Sequence, residues 1–405
     1  MTTYTGSERS GYVIVAAAFV AIVAAALETD IFVPCMPAMQ DYFQTTPAKI
    51  QMLVSINFLG LCISGLAFGL LSDTFGRRAL LLTGLSIFCL GGIGCVFATD
   101  IDWFLFWRFV QGLGASACFV LPSAIIYDVF TKEKSVQLLG YYSSAITIVI
   151  AGAPLVGSAL YLNFGWKANF YFMMGVSALA WMVCYFLVKE TLPAQHRKPL
   201  NIEHVASGFK LVLTDGRSLS YIAIIASTFS AYFIFMANLS LIFIDYLGVP
   251  DKSFPFFQGS VLLGFTFSSL FNGKMSDWMG VAKMRHWGMI ASVIGALSLL
   301  IVGLLSPENV YLIIASMVFF SVGLGMYINI VFADVMSLYP NIKGITSSLV
   351  SSIRLGITAF SIGVAGLVFN GSIQPVAVLI CITTFIGAAF YLRVRHYERL
   401  YADQV

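Results

Sequence analysis

A chain of 405 residues that is 59% hydrophobic and only 10% charged cannot clothe a soluble globule, since soluble domains run at roughly 45–50% apolar and about 25% charged. Its apolar residues must face lipid, and a net charge of +3 without a long basic run argues against a nucleic-acid partner. Seven cysteines carry no Cys-x-x-Cys pair, and Cys62, Cys89, Cys95, Cys118, Cys184 and Cys381 lie in apolar runs, so they read as small core hydrophobes rather than disulfides or metal ligands.

A bilayer-crossing helix needs about 20 mostly apolar residues. In chain order, twelve such runs are predicted near 11–34, 50–71, 79–98, 103–127, 136–161, 168–188, 219–241, 256–276, 284–305, 309–333, 344–369 and 374–392. The first is too long for a signal-peptide core and ends in acids and prolines, so it counts as a span. An even number of spans puts both termini on one side. With that side cytoplasmic, 17 Lys and Arg fall in inner segments and three, Lys49, Lys167 and Lys252, in outer ones, the distribution expected of the positive-inside rule.

The longest polar stretch, Lys189 to Ser218 with Pro193 and Pro199, falls between spans six and seven. It predicts an N-terminal six-helix bundle at 1–190, a cytoplasmic linker at 191–218 and a C-terminal six-helix bundle at 219–405. A repeat supports the division: Gly69-Leu-Leu-Ser-Asp73-Thr-Phe-Gly76 recurs 204 residues later as Gly273-Lys-Met-Ser-Asp277-Trp-Met-Gly280. Two six-span bundles related by an axis along the membrane normal form a transporter architecture, with substrate expected at their interface near the midplane.

Four segments carry a family resemblance. Gly69, Leu71, Asp73, Gly76, Arg77 and Arg78 meet the loop signature Gly-x-Leu-x-Asp-x-x-Gly-Arg-Arg/Lys, and Arg108-Phe-Val-Gln111-Gly112 meets an Arg-x-x-Gln-Gly pattern in span four. Gly152-Ala-Pro154-Leu-Val-Gly157-Ser158 is similar to the Gly-Pro-x-x-Gly-Gly motif of drug/proton antiporters, with Ala153 and Ser158 in place of two glycines. Thr29-Asp30-Ile-Phe-Val-Pro34-Cys-Met-Pro37 is similar to the span-one end of the bicyclomycin- and chloramphenicol-resistance branch. Over its whole length the chain resembles the major facilitator superfamily, and within it the twelve-span drug/proton antiporters.

The resemblance implies an all-α integral membrane protein, twelve transmembrane helices in two pseudosymmetric six-helix bundles. It implies a multidrug-efflux activity of the antibiotic-resistance kind: a monomer in the bacterial inner membrane, with both termini cytoplasmic, that exports drug-like small molecules by alternating access. The partners would be substrate, protons and the bilayer, and the proton gradient would drive transport without a cofactor. Export of an endogenous metabolite such as a siderophore, and proton-coupled nutrient import, are the competing readings. An enzyme is not indicated: no metal or acid–base constellation such as His-Glu-x-x-His is present. His196, His204, His286 and His396 all fall in cytoplasmic segments, which excludes a histidine proton relay.

Charges at helix centres are costly and mark function by default. Glu28, Asp30, Arg108 and Arg354 lie well inside spans, whereas Asp128, Asp245 and Asp334 sit at span ends, where solvation suffices. Asp30 and Arg108 fall at similar depth. Because the resemblance places spans one, four, seven and ten around the cavity, the two are expected to pair, as a proton site or as a structural tie. Glu28 and Asp30, two residues apart, are turned about 200° from each other on a helix, so one wall cannot present both; the branch motif favours Asp30 for the cavity. Burial and a nearby arginine act oppositely on a carboxyl's hold on its proton, so a motion that changes either can load and unload it. Arg354, near the midplane, is expected to bind a polar or anionic substrate group, or else to partner Glu28 or helix-end carbonyls.

The resemblance assigns Asp73, with Arg77 and Arg78, to a cytoplasmic latch in which Gly69 and Gly76 allow close approach, and Asp277 with Lys274 to its copy in the second half. Gly152, Pro154 and Gly157 suit a helix that slides against span eight. Further candidate substrate contacts are Phe32, Asn57, Tyr127, Tyr142, Phe235, Met236, Asn238 and Asn329, and flexible Met and aromatic walls suit promiscuous binding.

Overall fold

The computed structural model describes residues 8–197 and 199–402, which form helices and no strand; Lys198 of the linker lies outside the described residues. Helix α1 (Glu8–Asp30) stops where Pro34 and Pro37 enter, gives way to a 3₁₀ turn at Val33–Cys35, and resumes as α2 (Met36–Phe43). A proline cannot donate to the helical ladder and clashes with the preceding turn, which accounts for the break. There follow α3 (Pro47–Phe75), α4 (Arg77–Phe97), α5 (Ile101–Val129), α6 (Lys132–Phe164) and α7 (Lys167–Leu187). The linker contains a short helix, α8 (Ile202–Thr214). The second half comprises α9 (Gly216–Ser240), α10 (Phe254–Leu270), α11 (Asn272–Met279), α12 (Val281–Leu305), α13 (Val310–Leu338), α14 (Lys343–Val368) and α15 (Ile373–Ala402). Helix α9 runs on into a π-helical turn at Leu241–Tyr246.

Among the described residues eleven helices are long and apolar enough to cross a membrane, and α10 with α11, bent by 54° at their junction, make a twelfth when taken as one span. Asn272 stands at that bend and donates through Nδ2 to the carbonyls of Gly325 and Met326 on α13, at 3.1 and 2.9 Å. Large apolar side chains stand open around the outside, among them Phe164 at 77% and Leu305 at 78% exposure. Apolar surface on that scale is foreign to a soluble monomer and suits lipid.

The described chain divides into two compact units: one runs up to Thr45 and takes in Ile56–Ile202, the other joins Thr46–Ser55 to the residues from Glu203 onward. Each packs its helices in the same way. In the first, α1 contacts α5, α6 and α7, while α4 contacts α5 and α7; in the second, α9 contacts α13, α14 and α15, while α12 contacts α13 and α15. Local signals repeat as well. Asp100 caps α5 by accepting from the Trp103 amide at 2.9 Å, and Asn309 caps α13 by accepting from Leu312 at 3.1 Å, each satisfying an orphan donor of the first turn. Gly76 and Gly280, the last residues of the repeated segment, both adopt positive φ, 95° and 83°, a conformation that glycine reaches without the Cβ penalty.

Candidate functional site

Three charged clusters stand out. The first lies inside the first unit, where Glu28 of α1 meets Arg108 of α5 at 2.5 Å, with side-chain exposures of 0% and 1%. Asn57 of α3 donates through Nδ2 to Glu28 at 2.7 Å and to the Arg108 carbonyl at 3.2 Å. Arg108 donates to Gln111 Oε1 at 2.7 Å and lies 4.5 Å over the Phe32 ring. The Arg-x-x-Gln-Gly pattern thereby acquires a physical meaning. Gln111, one turn on from Arg108, fixes the guanidinium, and a Cβ at Gly112 would collide with the Asn57 carbonyl, so only glycine lets α5 approach α3 at this level.

The expected pairing of Asp30 with Arg108 is therefore corrected: the arginine's partner is Glu28. The 200° separation of the two acids puts Glu28, not Asp30, on the face toward α5, because α1 is rotated by its packing against α5 and α7. Asp30, 4% exposed, accepts a hydrogen bond from the Thr29 hydroxyl at 2.8 Å and has no cationic partner among the described residues. One Glu28 oxygen, Oε2, is likewise buried without a hydrogen-bond donor.

The span-five motif sits on the same broken helix end. A Cβ at Gly157 would collide with the Ile31 carbonyl, so this glycine lets α6 lie against the segment just beyond Asp30. Pro154 is buried inside α6, and Gly152 faces open space.

The second cluster caps the α3–α4 turn. Arg77, 8% exposed, pairs with Asp73 at 2.7 Å and with Asp128 of α5 at 3.0 Å. Thr191 donates its hydroxyl to Asp128 at 3.1 Å, and Glu190 accepts from the Arg77, Thr191 and Leu192 amides at 2.9, 3.1 and 3.0 Å. Arg78 caps the end of α7, donating to the carbonyls of Val188 and Tyr185 at 2.7 and 2.9 Å; a cation there complements the helix dipole. Asp128 is thus an ion-pair partner rather than a solvated end charge.

The third cluster is the second unit's counterpart. Arg285 of α12, 6% exposed, meets Asp334 of α13 at 2.5 Å and Glu398 of α15 at 2.6 Å. Tyr221 of α9 donates to Glu398 at 3.3 Å. Arg285, Asp334 and Glu398 follow Arg77, Asp128 and Glu190 by 208, 206 and 208 residues, close to the 204 of the repeated segment. Asp277 and Lys274, the expected copy, form no ion pair among the described residues; Asp277 is exposed. That near-constant offset was the available signal for Arg285, Asp334 and Glu398.

Arg354 stands apart. Its guanidinium lies 4.4 Å over the Phe229 ring of α9, its Nε is buried with no acceptor, and it forms no ion pair among the described residues. Glu28, one partner expected for it, is held by Arg108 instead, and among the described residues no helix-end carbonyl accepts from its Nε. The remaining candidates scatter. Phe32 and Asn57 belong to the Glu28 cluster. Phe235 and Met236 are 0% and 2% exposed, so α9 turns them into its own bundle; the half-open aromatics of that helix are Phe229 and Phe233, which the apolar sequence alone did not single out. Asn238 is buried and accepts from Gln51 Nε2 at 2.7 Å. Asn329 is exposed and donates to the Ser269 hydroxyl at 2.9 Å. Tyr142 is buried edge-on to Phe19 at 5.7 Å with an unpartnered hydroxyl, and Tyr127 is 52% exposed.

Comparison with known proteins agrees with this architecture. A family model described as Major Facilitator Superfamily matches residues 18–361. The chain is 24% identical over 331 residues to a bicyclomycin resistance protein homolog of Haemophilus influenzae, covering 82% of this chain and 83% of that protein. It is 25% identical over 380 residues to a chloramphenicol resistance protein of Pseudomonas aeruginosa, covering 92% and 88%. Among solved structures, the D-xylose-proton symporter superposes with a TM-score of 0.75 at 16% identity, over 94% of this chain and 97% of that one, which speaks to fold alone. With a family match across most of its length and paired six-helix bundles, the chain belongs to the Major Facilitator Superfamily and is a membrane transporter, not an enzyme.

Proposed function

We propose that this transporter exports drug-like, amphipathic small molecules across the bacterial inner membrane in exchange for protons, by alternating access, with both termini cytoplasmic and the monomer as the working unit. The observation that carries the reading is the division of labour between the two acids of α1. Glu28 is committed to Arg108, whereas Asp30 has only the Thr29 hydroxyl, so Asp30 can take up or release a proton without breaking an ion pair. Asp30 then binds a proton from outside in competition with substrate, and the Glu28–Arg108 pair with Asn57 positions the helix end that carries it. Each pH unit supplies about 1.36 kcal/mol per proton and each 100 mV about 2.3 kcal/mol per charge, enough to drive export uphill. The relatives named for bicyclomycin and chloramphenicol resistance support export of drug-like compounds.

The bundles at 1–190 and 219–405, joined by the linker at 191–218, are the moving halves. Asp73 and Arg77, with Gly69 and Gly76, form the cytoplasmic latch, and Gly157 lets α6 move against the segment just beyond Asp30. The test is reconstitution in proteoliposomes under an imposed pH gradient with chloramphenicol and ethidium as probes. Wild type should accumulate probe against its gradient in the direction set by the protons. Asp30→Asn should abolish the response to the pH gradient while still binding probe. Gradient-driven transport at the wild-type rate in that variant overturns the assignment, and proton and probe moving in the same direction favours import instead.

A further inference from the structure

Arg354 is the one intramembrane charge that the proton machinery does not use. It lies eleven residues into α14, on the order of 16 Å from that helix's start by the rise per residue, with Val368 at the other end farther still. From there a guanidinium cannot reach a headgroup, and it cannot face hydrocarbon. Among the described residues no acid forms an ion pair with it. Phe229 offers a ring face at 4.4 Å, and Nε has no acceptor. The acids of the second unit that pair with an arginine, Asp334 and Glu398, are both taken by Arg285. One turn beyond, the hydroxyls of Thr358 and Ser230 are hydrogen-bonded at 3.1 Å, and Thr358 returns a bond to the Arg354 carbonyl at 2.8 Å. These contacts pin α14 to α9 beside the guanidinium, whose carbon lies over Phe229 and whose Nε is left without an acceptor. Phe229 and Phe233, half-exposed and 4.7 Å apart by ring centroids, form an aromatic wall beside it.

A guanidinium presents five donors in a fixed fork that fits a carboxylate two-on-two. We propose that Arg354 is a specificity-determining substrate contact that binds an anionic group directly, so that the second unit selects compounds carrying a carboxylate beside an aromatic ring. The proposal rests on the transporter reading above but not on its direction or proton coupling. A merely structural Arg354, tying α14 to α9 through Phe229, would affect all ligands alike.

The experiment measures equilibrium binding to the purified full-length protein in detergent, where no gradient exists. The probes are chloramphenicol, which is neutral, and chloramphenicol hemisuccinate, its succinate half-ester, which carries a free carboxylate. Wild type should bind the hemisuccinate more tightly than the parent. Arg354→Gln should weaken the hemisuccinate on the order of 10-fold or more, as expected for a hydrogen-bonded charge, and leave the parent within about twofold. Arg354→Lys keeps the charge but loses the fork; it should lose part of the anion preference, and it serves as the test if Arg354→Gln does not fold. No preference for the hemisuccinate in wild type, or equal weakening of both probes in the variants, overturns the proposal. Gradient-independent transport by wild-type proteoliposomes would overturn the proton-coupling reading and leave this one standing.

Discussion

Arg108 and Arg354 are the same residue, each at depth in one unit and each laid over a phenylalanine, at 4.5 and 4.4 Å. Their polar surroundings differ completely. Arg108 is paired with Glu28, donates to Gln111 and has its own carbonyl held by Asn57; Arg354 keeps a buried Nε without an acceptor. A buried charge that is fully paired is architecture, whereas one left open is a vacancy in the hydrogen-bond inventory that a ligand can fill. Two acids on α1 stand against one arginine in the first unit, and an arginine stands alone in the second. The proton site proposed for the first unit and the anion site proposed for the second rest on that asymmetry.

This contrast can be broken by substitution. The largest effect is expected from Glu28→Gln, which strands the Arg108 charge in the core. Removing one partner of a buried pair costs about 3–5 kcal/mol, readable as a large drop in melting temperature in detergent. Asp30→Asn, with no ion pair to lose, should melt close to wild type; equal destabilisation by the two variants would erase the distinction between a paired and a titrating acid. Next comes Gly112→Val, which drives a side chain into the Asn57 carbonyl and should cost about 1–3 kcal/mol, with a loss of transport from the displaced Glu28 cluster. The smallest effect belongs to Arg78→Ala. It removes a cation from the end of α7 and should cost about 0.3–1 kcal/mol, with transport nearly intact, whereas Arg77→Ala, which strands Asp128, should impair it. Equal transport defects in the two would make the cluster an anchor rather than a latch.

Much of this is legible in the sequence. The twelve spans follow from runs of apolar residues, because a bilayer demands length and hydrophobicity whatever the neighbours are. The repeated segment predicted the paired bundles, and the positive φ of Gly76 and Gly280 explains why glycine closes both copies. The choice of partner was not legible. Glu28 and Asp30 lie on opposite sides of one helix, and which side meets α5 depends on how α1 is rotated by helices distant in sequence. The same applies to α9, where Phe235 and Met236 turn inward and Phe229 and Phe233 remain half-open. In an almost uniformly apolar helix, periodicity says nothing about rotation. Asp128 and Asp334 read as solvated ends because their arginines lie dozens of residues away.

The sequence by itself determined that the chain crosses a membrane in two related halves and that four charges must be accounted for inside it. Composition and local repeats carry that information, and lipid enforces it. The tertiary structure alone decided the accounts: Glu28 with Arg108, Asp30 with a neighbouring hydroxyl, Arg354 with an aromatic ring. Those pairings depend on helix rotation, which is settled by packing between segments far apart in the chain.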